Sequence, residues 1–324
     1  MVKAVIVRSH GGPDVLKVGD IEIAAPGPDE VRIKQTAIAV NYIDTYYRIG
    51  LYPTNLPFVP GEEGAGIIEQ LGGSVTDFKI GDRVAYATVS LGAYSSSRNI
   101  NHKALIPIPD ELSDQQVASS LTRGLTAEYL LFRCHQLQAG QSILVHAAAG
   151  GVGSLTCQWA KGMGATVFGT VGNASKVDIA KQNGCDEVIV YTEQNLSEVV
   201  RDKTRGELLD VVYDGIGKAT LSESIQCVKP RGLLVSFGNA SGAPEPVDVL
   251  QLSRQGSIYL TRPRLVDYTK DRSELLKSAD RYFSALREGE VRLPEYITLT
   301  LEQAHRAHEM IQDRNNKVIP VLIP

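Results

Sequence analysis

The sequence predicts an α/β fold in two parts, a β-rich unit and a doubly wound parallel sheet. Its 324 residues are more than one small core needs and suit two domains of ordinary size. Up to about residue 106, short apolar runs alternate with Gly and Pro. From about residue 126, runs rich in Val, Ile and Leu alternate with helical patterns, which is typical of a parallel sheet covered on both faces.

The β-rich unit is predicted from short apolar runs that turn residues separate. Such spacing favours a compact, mainly antiparallel sheet. The clearest candidate strands are 2–7, 30–39, 64–71 and 83–87. Pro107 and Pro109 close the unit, and Ser113 with Gln116 three residues later predicts a capping box at the start of a helix.

The parallel sheet is predicted from five buried-strand patterns with helices between them. These strands are expected at 143–145, 166–170, 187–190, 209–213 and 233–237. We expect the last of them, Leu233 to Phe237, to be the final strand before a subunit-facing edge. The tail carries helical patterns at 273–286 and 301–312 and ends in an apolar run. A discontinuous domain, 1–124 with 264–324, is therefore predicted around an inserted domain, 125–263.

A glycine-rich turn follows the first strand of the predicted parallel sheet. It reads His146-Ala147-Ala148-Ala149-Gly150-Gly151-Val152-Gly153, and a helical pattern comes next. Against the pattern GxGxxG, Ala148 takes the first Gly place, while Gly150 and Gly153 hold the other two. Small residues let the backbone approach a pyrophosphate, and the following helix directs its unpaired N–H groups at that anion. Because strand, turn, helix and second strand follow in the required order, the stretch predicts a Rossmann dinucleotide site rather than a plain turn.

The second strand leads into a loop that indicates which dinucleotide binds. The loop reads Gly172-Asn173-Ala174-Ser175-Lys176 and lacks the Asp or Glu that NAD sites use on the ribose 2′-OH. Gly172 leaves room for a 2′-phosphate, Asn173 and Ser175 offer donors, and Lys176 supplies positive charge. A charge-assisted contact of this kind contributes about 1.5–3 kcal/mol. Lys176 could equally be a solvated helix residue, but together these residues favour NADPH over NADH.

Charge and cysteine usage exclude several classes of function. The formal net charge of −4 gives no general positive field for nucleic acid or an anionic membrane. No apolar run reaches the roughly 18 residues of a membrane span, and the opening segment is too short for a signal peptide. The four cysteines form no CxxC pair, so neither a disulfide framework nor a zinc lobe is indicated: Cys134, Cys157, Cys185 and Cys227. We therefore expect a cytoplasmic protein without a membrane or nucleic-acid partner.

Several stretches together resemble one family over essentially the whole chain. These are Asn41-Tyr42-Ile43-Asp44-Thr45-Tyr46, Gly50-Leu51-Tyr52-Pro53, Leu91 to Ser95, His146 to Gly153 and Val235 to Asn239. By these stretches the chain resembles the zinc-free medium-chain dehydrogenases/reductases, in their quinone oxidoreductase (ζ-crystallin-like) branch. The resemblance implies a GroES-like β-rich catalytic domain, an inserted Rossmann domain, NADPH as cofactor and a homodimer.

The resemblance also implies individual contacts. Asn41, Tyr42, Asp44 and Tyr46 match the segment that lines the nicotinamide pocket. Further cofactor contacts are implied along the rest of the chain: Tyr129, Gly151, Val152, Gly172 to Lys176, Tyr191, Ile216, Gly238, Asn239, Ala240, Ser241 and Arg314.

A catalytic zinc is not expected. Zinc-dependent members of the family carry a Cys near 41–44 and a Gly-His-Glu further on, whereas this chain has no Cys there and has Glu62 in place of the His. Three protein ligands and an open position are needed for a catalytic zinc, and no set of Cys and His residues offers them. The sequence departs from bacterial relatives in reading Gly61-Glu62-Glu63, which brings an extra carboxylate.

Without a Lewis acid, an easily reduced acceptor such as a quinone is the expected substrate. Tyr42, Tyr46 and Tyr52 are candidates for its pocket, because their rings can stack on a flat acceptor and their hydroxyls can donate to its oxygens. Core or interface packing is the competing interpretation for Tyr47, Tyr52 and Tyr94. Two other functions stay open at this point: reduction of the activated C=C bond of an enone or enal, and, in a different class, RNA binding by a ζ-crystallin-like protein.

Overall fold

The computed structural model describes residues 1–313 and 315–324, which form fifteen strands and eleven helices. The strands are β1 (Val2–Ile6), β2 (Lys17–Ile21), β3 (Glu30–Ala39), β4 (Gly64–Leu71), β5 (Arg83–Tyr86), β6 (Ser97–Asn101), β7 (Ile106–Pro107), β8 (Ser142–Val145), β9 (Thr166–Val171), β10 (Glu187–Val190), β11 (Leu209–Asp214), β12 (Val228–Ser236), β13 (Tyr259–Thr261), β14 (Tyr296–Thr300) and β15 (Ile319–Ile323).

The helices are α1 (Tyr42–Arg48), α2 (Asp114–Ala118), α3 (Leu121–Tyr129), α4 (Gly151–Gly162), α5 (Val177–Gln182), α6 (Leu196–Lys203), α7 (Leu221–Cys227), α8 (Val249–Arg254), α9 (Leu265–Thr269), α10 (Arg272–Glu288) and α11 (Ala304–Gln312). One turn of π-helix, Leu130–Cys134, extends α3. None of the helices in the described residues combines the length and the apolar character that crossing a membrane requires.

The chain is divided into two compact units. Unit 1 comprises Met1–Thr122, Thr269–Phe283 and Leu293–Pro324, and unit 2 comprises Arg123–Tyr268 and Ser284–Arg292. Ser284–Arg292 belongs to unit 2 because its polar groups are held there: Glu290 accepts from Trp159 Nε1 at 3.1 Å, and the Arg292 amide donates to Gln158 at 2.8 Å.

Unit 1 is built on a seven-stranded, mainly antiparallel sheet. Its order is β14-β15-β3-β4-β5-β7, with β6 pairing to β3, and β14 and β15 form its parallel pair. The predicted capping box forms at α2, where Ser113 and Gln116 bond each other's backbone amides. The α1 helix and the strand β14 were not predicted. α1 is short and tyrosine-rich, without the apolar repeat by which a helix is recognised in sequence.

Unit 2 contains a six-stranded parallel sheet in the order β10-β9-β8-β11-β12-β13. This is the doubly wound Rossmann order: β8, β9 and β10 are added towards one edge of the sheet, and β11, β12 and β13 are added towards the other. Central strand residues such as Ile143, Leu144, Val211 and Val212 are fully buried, as expected for a sheet covered on both faces. The prediction that Leu233 to Phe237 is the last strand was wrong. β13 pairs in parallel beyond β12, and its three residues are too few to show a strand pattern in sequence.

Candidate functional site

The predicted phosphate loop, residues 146–153, joins β8 to α4 in unit 2. Gly150 is the N-cap of α4 without a side-chain cap, and the first N–H groups of any helix have no partner inside it. The helix packs close to the loop, since a Cβ on Gly153 would lie 2.2 Å from the carbonyl oxygen of Ala147. Glycine is therefore required at 153, and the loop presents backbone rather than side chains to an anion.

The loop after β9 carries the residues predicted to bind the 2′-phosphate. Asn173 caps a short turn of 3₁₀-helix by accepting the Ser175 amide at 2.9 Å. Ser175 is exposed and Lys176 is half-buried. Tyr191, after β10, lies directly against Gly172, because a Cβ there would be 3.2 Å from the tyrosine hydroxyl. The structure thus brings Gly172 and Tyr191 together at neighbouring strand ends.

The loops after β11 and β12 interlock at the same edge of the sheet. The Ser241 amide and hydroxyl both donate to the carbonyl oxygen of Ile216 at 2.8 Å, and the Ala240 amide donates to Gly215 at 3.2 Å. Asn239 Oδ1 is buried and has no hydrogen-bond partner among the described residues. An orphaned acceptor at this edge suits a ligand that brings a hydroxyl or amide donor.

A buried polar network, which sequence reasoning missed, holds these loops. Asp214 Oδ1 accepts the amides of Ile216 and Gly217 at 2.8 and 3.0 Å, and its Oδ2 accepts the Ser224 hydroxyl at 2.8 Å. His146 lies between Ser224 and Thr170, 2.9 Å from each hydroxyl. Burial lowers the pKa of His146, so the ring stays neutral. Because Ser224 gives its hydrogen to Asp214, His146 donates from Nε2 and accepts at Nδ1.

Tyr129 lies in a different cluster of unit 2. It is buried and stacks on Tyr268 with ring centroids 4.5 Å apart. Its predicted contact with the cofactor stays a prediction. Arg314, also predicted to contact the cofactor, lies outside the described residues.

In unit 1, α1 presents the predicted acceptor residues. The Asn41 amide donates to Asp44 Oδ2 at 2.9 Å and so starts the helix. Tyr42, Tyr46, Tyr47 and Tyr52, here called the tyrosine cluster, contact one another in series. Ring centroids are 5.6 Å apart for Tyr42 and Tyr46, 5.2 Å for Tyr46 and Tyr52, and 5.6 Å for Tyr47 and Tyr52. Tyr42 is 37% exposed, so one end of the cluster faces solvent.

Tyr94 is instead a core residue. It is fully buried, and its hydroxyl lies 3.0 Å from both Asp44 Oδ2 and His308 Nε2. Arg48 Nη1 lies 2.9 Å from His308 Nδ1. Since arginine can only donate, His308 accepts at Nδ1 and donates from Nε2, which leaves the Tyr94 hydrogen for Asp44. Burial, then the nearby Arg48 charge, lowers the pKa of His308 to about 3.

Three carboxyl groups lie in or near this series of hydrogen bonds. Burial raises the pKa of Asp44 to about 7, and its Oδ1 has no hydrogen-bond partner among the described residues. Glu62 is half-buried, and burial raises its pKa to about 7. Glu63 is fully buried and accepts from Asn41 Nδ2 and from the Thr122 amide at 2.8 Å. It therefore positions Asn41 rather than a ligand.

The backbone cradle and the orphaned Asn239 oxygen fit a dinucleotide, whose pyrophosphate needs N–H groups and whose ribose or amide groups donate. By contrast, no group of three or more His, Cys, Asp or Glu side chains in residues 1–313 and 315–324 could hold a metal ion.

Comparison with known proteins agrees with this architecture. Residues 27–140 match the family model described as alcohol dehydrogenase GroES-like domain, and residues 151–280 match the one described as zinc-binding dehydrogenase. A quinone oxidoreductase of Pseudomonas aeruginosa is 45% identical over 100% of both chains. A 2-haloacrylate reductase of Burkholderia is 40% identical over 100% of this chain and 99% of its own.

The fold also matches a solved structure closely. The crystal structure of Escherichia coli quinone oxidoreductase complexed with NADPH superposes with a TM-score of 0.95 at 41% identity, over 100% of this chain and 99% of that one. The chain belongs to the medium-chain dehydrogenase/reductase family, in its quinone oxidoreductase branch.

Proposed function

We propose that this protein is an NADPH:quinone oxidoreductase that works without a metal. The observation that carries the proposal is the glycine cradle at 150–153, which lies where the strand order reverses and is followed by a carboxylate-free loop with Lys176. The similarity to quinone oxidoreductases over the whole chain supports it.

NADPH would be held along the strand ends of unit 2. We assign the pyrophosphate to the amides of Gly151, Val152 and Gly153, and the 2′-phosphate to the loop 172–176. Gly150 would line the turn without donating, because its amide donates to the Ala147 carbonyl oxygen at 2.7 Å. Residues near the adenosine and the rest of the cofactor would be Tyr191, Ile216, Gly238, Asn239, Ala240 and Ser241. When bound, the cofactor supplies a hydride.

The tyrosine cluster would bind the acceptor. Its rings provide flat apolar surface, and the hydroxyls of Tyr42, Tyr46 and Tyr52 can donate to quinone oxygens. Asn41 and Asp44 complete the segment predicted to line the pocket. Zinc is not required by this chemistry, and the chain has neither a Cys at 41–44 nor a His at 62, where zinc-dependent members of the family carry these ligands.

A second candidate is the reduction of an activated C=C bond, which the relative named 2-haloacrylate reductase favours. Steady-state oxidation of NADPH with 1,4-benzoquinone, with a short enone and with 2-chloroacrylate separates the two functions. We expect the quinone to give the highest kcat/KM. Turnover of the alkenes alone would replace the proposal by its alternative, and a stoichiometric, activity-supporting zinc would contradict the metal-free mechanism.

We also infer a cytoplasmic homodimer without a nucleic-acid partner. The four cysteines are free thiols, as in a reducing compartment. The net charge of −4 disfavours RNA binding. β13 has a strand neighbour on one side within the described residues, and Tyr259 on it is 65% exposed, so a second copy could pair along this edge.

A further inference from the structure

Tyr47 and Glu62 form a hydrogen-bonded pair at one end of the tyrosine cluster. The Tyr47 hydroxyl donates to Glu62 Oε1 at 3.1 Å. The Tyr47 ring meets Tyr52 edge-on, and Tyr52 in turn contacts Tyr46. The carboxyl group of Glu62 is therefore continuous with the residues that we propose to bind the acceptor.

The backbone around Glu62 is held in place. Gly61 has φ +89°, and a Cβ there would lie 2.5 Å from the buried Tyr94 ring, so glycine is required. Its carbonyl oxygen accepts the Ala93 amide at 3.0 Å, and that of Pro60 accepts the Tyr94 amide at 2.9 Å. Glu62 thus projects from a fixed segment, although it lies between strands.

The charged and titratable groups that interact with Glu62 lie on two elements. On α1 they are Tyr47 and Asp44, and on β6 is Arg98. Glu63 is the next residue in the chain, and Tyr52, which follows α1, interacts with Tyr47. Arg98 lowers the pKa of Glu62; its Nη2 donates to Ser90 Oγ at 2.9 Å and its guanidinium lies over the Tyr86 ring, while Nε and Nη1 have no hydrogen-bond partner among the described residues. Burial outweighs both this charge and the Tyr47 bond, so the carboxyl group is partly protonated near pH 7.

We propose that Glu62 is the acid that protonates the reduced acceptor, and that Tyr47 is the positioning residue that directs this proton. The inference rests on the proposed function. Because the Tyr47 hydrogen occupies Oε1, the carboxyl proton resides on Oε2. Burial, with the nearby Glu62, raises the pKa of Tyr47, so the phenol keeps its hydrogen and remains a donor.

The step balances with the established chemistry of a quinone. The acceptor gains a hydride, that is, two electrons and one proton, and becomes a hydroquinone monoanion. An O–H bond then forms between the anionic oxygen and the Glu62 proton, while the O–H bond of the carboxyl group breaks and leaves a carboxylate. Glu62 is only half-buried, so water can restore its proton before the next cycle.

The main test is the pH dependence of kcat/KM for 1,4-benzoquinone from pH 5.5 to 9. For the unchanged protein we expect kcat/KM to fall tenfold per pH unit above about pH 7, as Glu62 loses its proton. Glu62→Gln should lower the plateau about 100-fold and remove the pH dependence. Glu69→Gln, an exposed carboxylate on β4, is the matched control and should change neither.

Tyr47→Phe tests the positioning role separately. The Tyr47 hydrogen bond lowers the pKa of Glu62, so its loss should move the midpoint of the profile to higher pH. A second readout needs no turnover: the infrared absorption of protonated carboxyl groups, titrated around pH 7 without cofactor or acceptor, should lose the contribution of Glu62 in Glu62→Gln and keep that of Asp44, whose pKa is also about 7. NADPH binding, followed by fluorescence, should be the same in all variants.

The outcomes separate this inference from the function on which it rests. The inference is overturned, while the quinone activity stands, if Glu62→Gln has the same kcat/KM and the same pH profile as the unchanged protein. It is also overturned if Tyr47→Phe leaves the midpoint of the pH profile where it is. If Glu62→Gln does not fold, the midpoint of Tyr47→Phe decides, measured both in the pH profile of kcat/KM and in the infrared titration. Failure of the unchanged protein to oxidise NADPH with any quinone refutes the proposed function instead.

Discussion

Lys176 supplies the positive charge in the loop that follows β9, where an NAD-specific site would carry a carboxylate. Lys176→Ala should therefore raise KM for NADPH about tenfold, since a charge-assisted bond contributes about 1.5–3 kcal/mol, and leave KM for NADH nearly unchanged. Lys181→Ala, which removes an exposed lysine from α5, is the control. An equal rise in KM for NADPH and for NADH would show that Lys176 does not bind the 2′-phosphate.

Asp44 should make stability depend on pH. Its pKa is about 7 in the folded protein and about 3.9 when unfolded, so between these values the folded state binds the extra proton. The free energy of unfolding contributed by Asp44 therefore falls as pH rises from about 4 to 7. His308, whose pKa is about 3 when folded, acts in the opposite direction: its contribution is lost as pH falls below about 6.5.

Comparison of urea unfolding at pH 5 and pH 8 isolates the Asp44 effect. Between pH 5 and pH 8 the unchanged protein should lose about 2.5 kcal/mol of unfolding free energy that Asp44→Asn does not lose, since about two of the three pKa units of the shift lie in this interval. Asp280→Asn, on the exposed side of α10, should show no such difference. A pH-independent difference for Asp44→Asn would mean that the buried carboxyl is already ionised at pH 5.

At the scale of elements, two of the three glycines of α4 have opposite requirements. A Cβ at Gly153 would meet the Ala147 carbonyl at 2.2 Å, whereas one at Gly162 would meet nothing within 4 Å. Gly153→Ala should displace the phosphate loop and weaken NADPH binding at least tenfold. Gly162→Ala should leave binding unchanged and raise stability by about 0.5–1 kcal/mol. Fluorescence titration measures the NADPH affinity of each variant, and thermal unfolding measures its stability. Equal NADPH affinity in the two variants would contradict the assignment of the pyrophosphate to this loop.

The elements also show what sequence alone could predict. The phosphate loop could be predicted, because a glycine turn between a strand and a helix is determined by residues that are neighbours in the sequence. The pairing of Tyr47 with Glu62 and the bonds from Arg48 to His308 depend on contacts between residues 15 and 260 positions apart, which spacing does not reveal. β13 was missed because three residues form no pattern.

At the scale of the molecule, β13 predicts a dimer, because it has a strand neighbour on one side only within residues 1–313 and 315–324. Tyr259 on this strand is 65% exposed, and an unpaired edge with an apolar side chain favours pairing with a second copy. Tyr259→Lys should convert the proposed dimer to a monomer in sedimentation-velocity experiments at micromolar concentration. Tyr296→Lys places the same change on β14, at the edge of the other sheet, and should leave the dimer intact. A Tyr259→Lys protein that stays dimeric would place the subunit contact elsewhere than along β13.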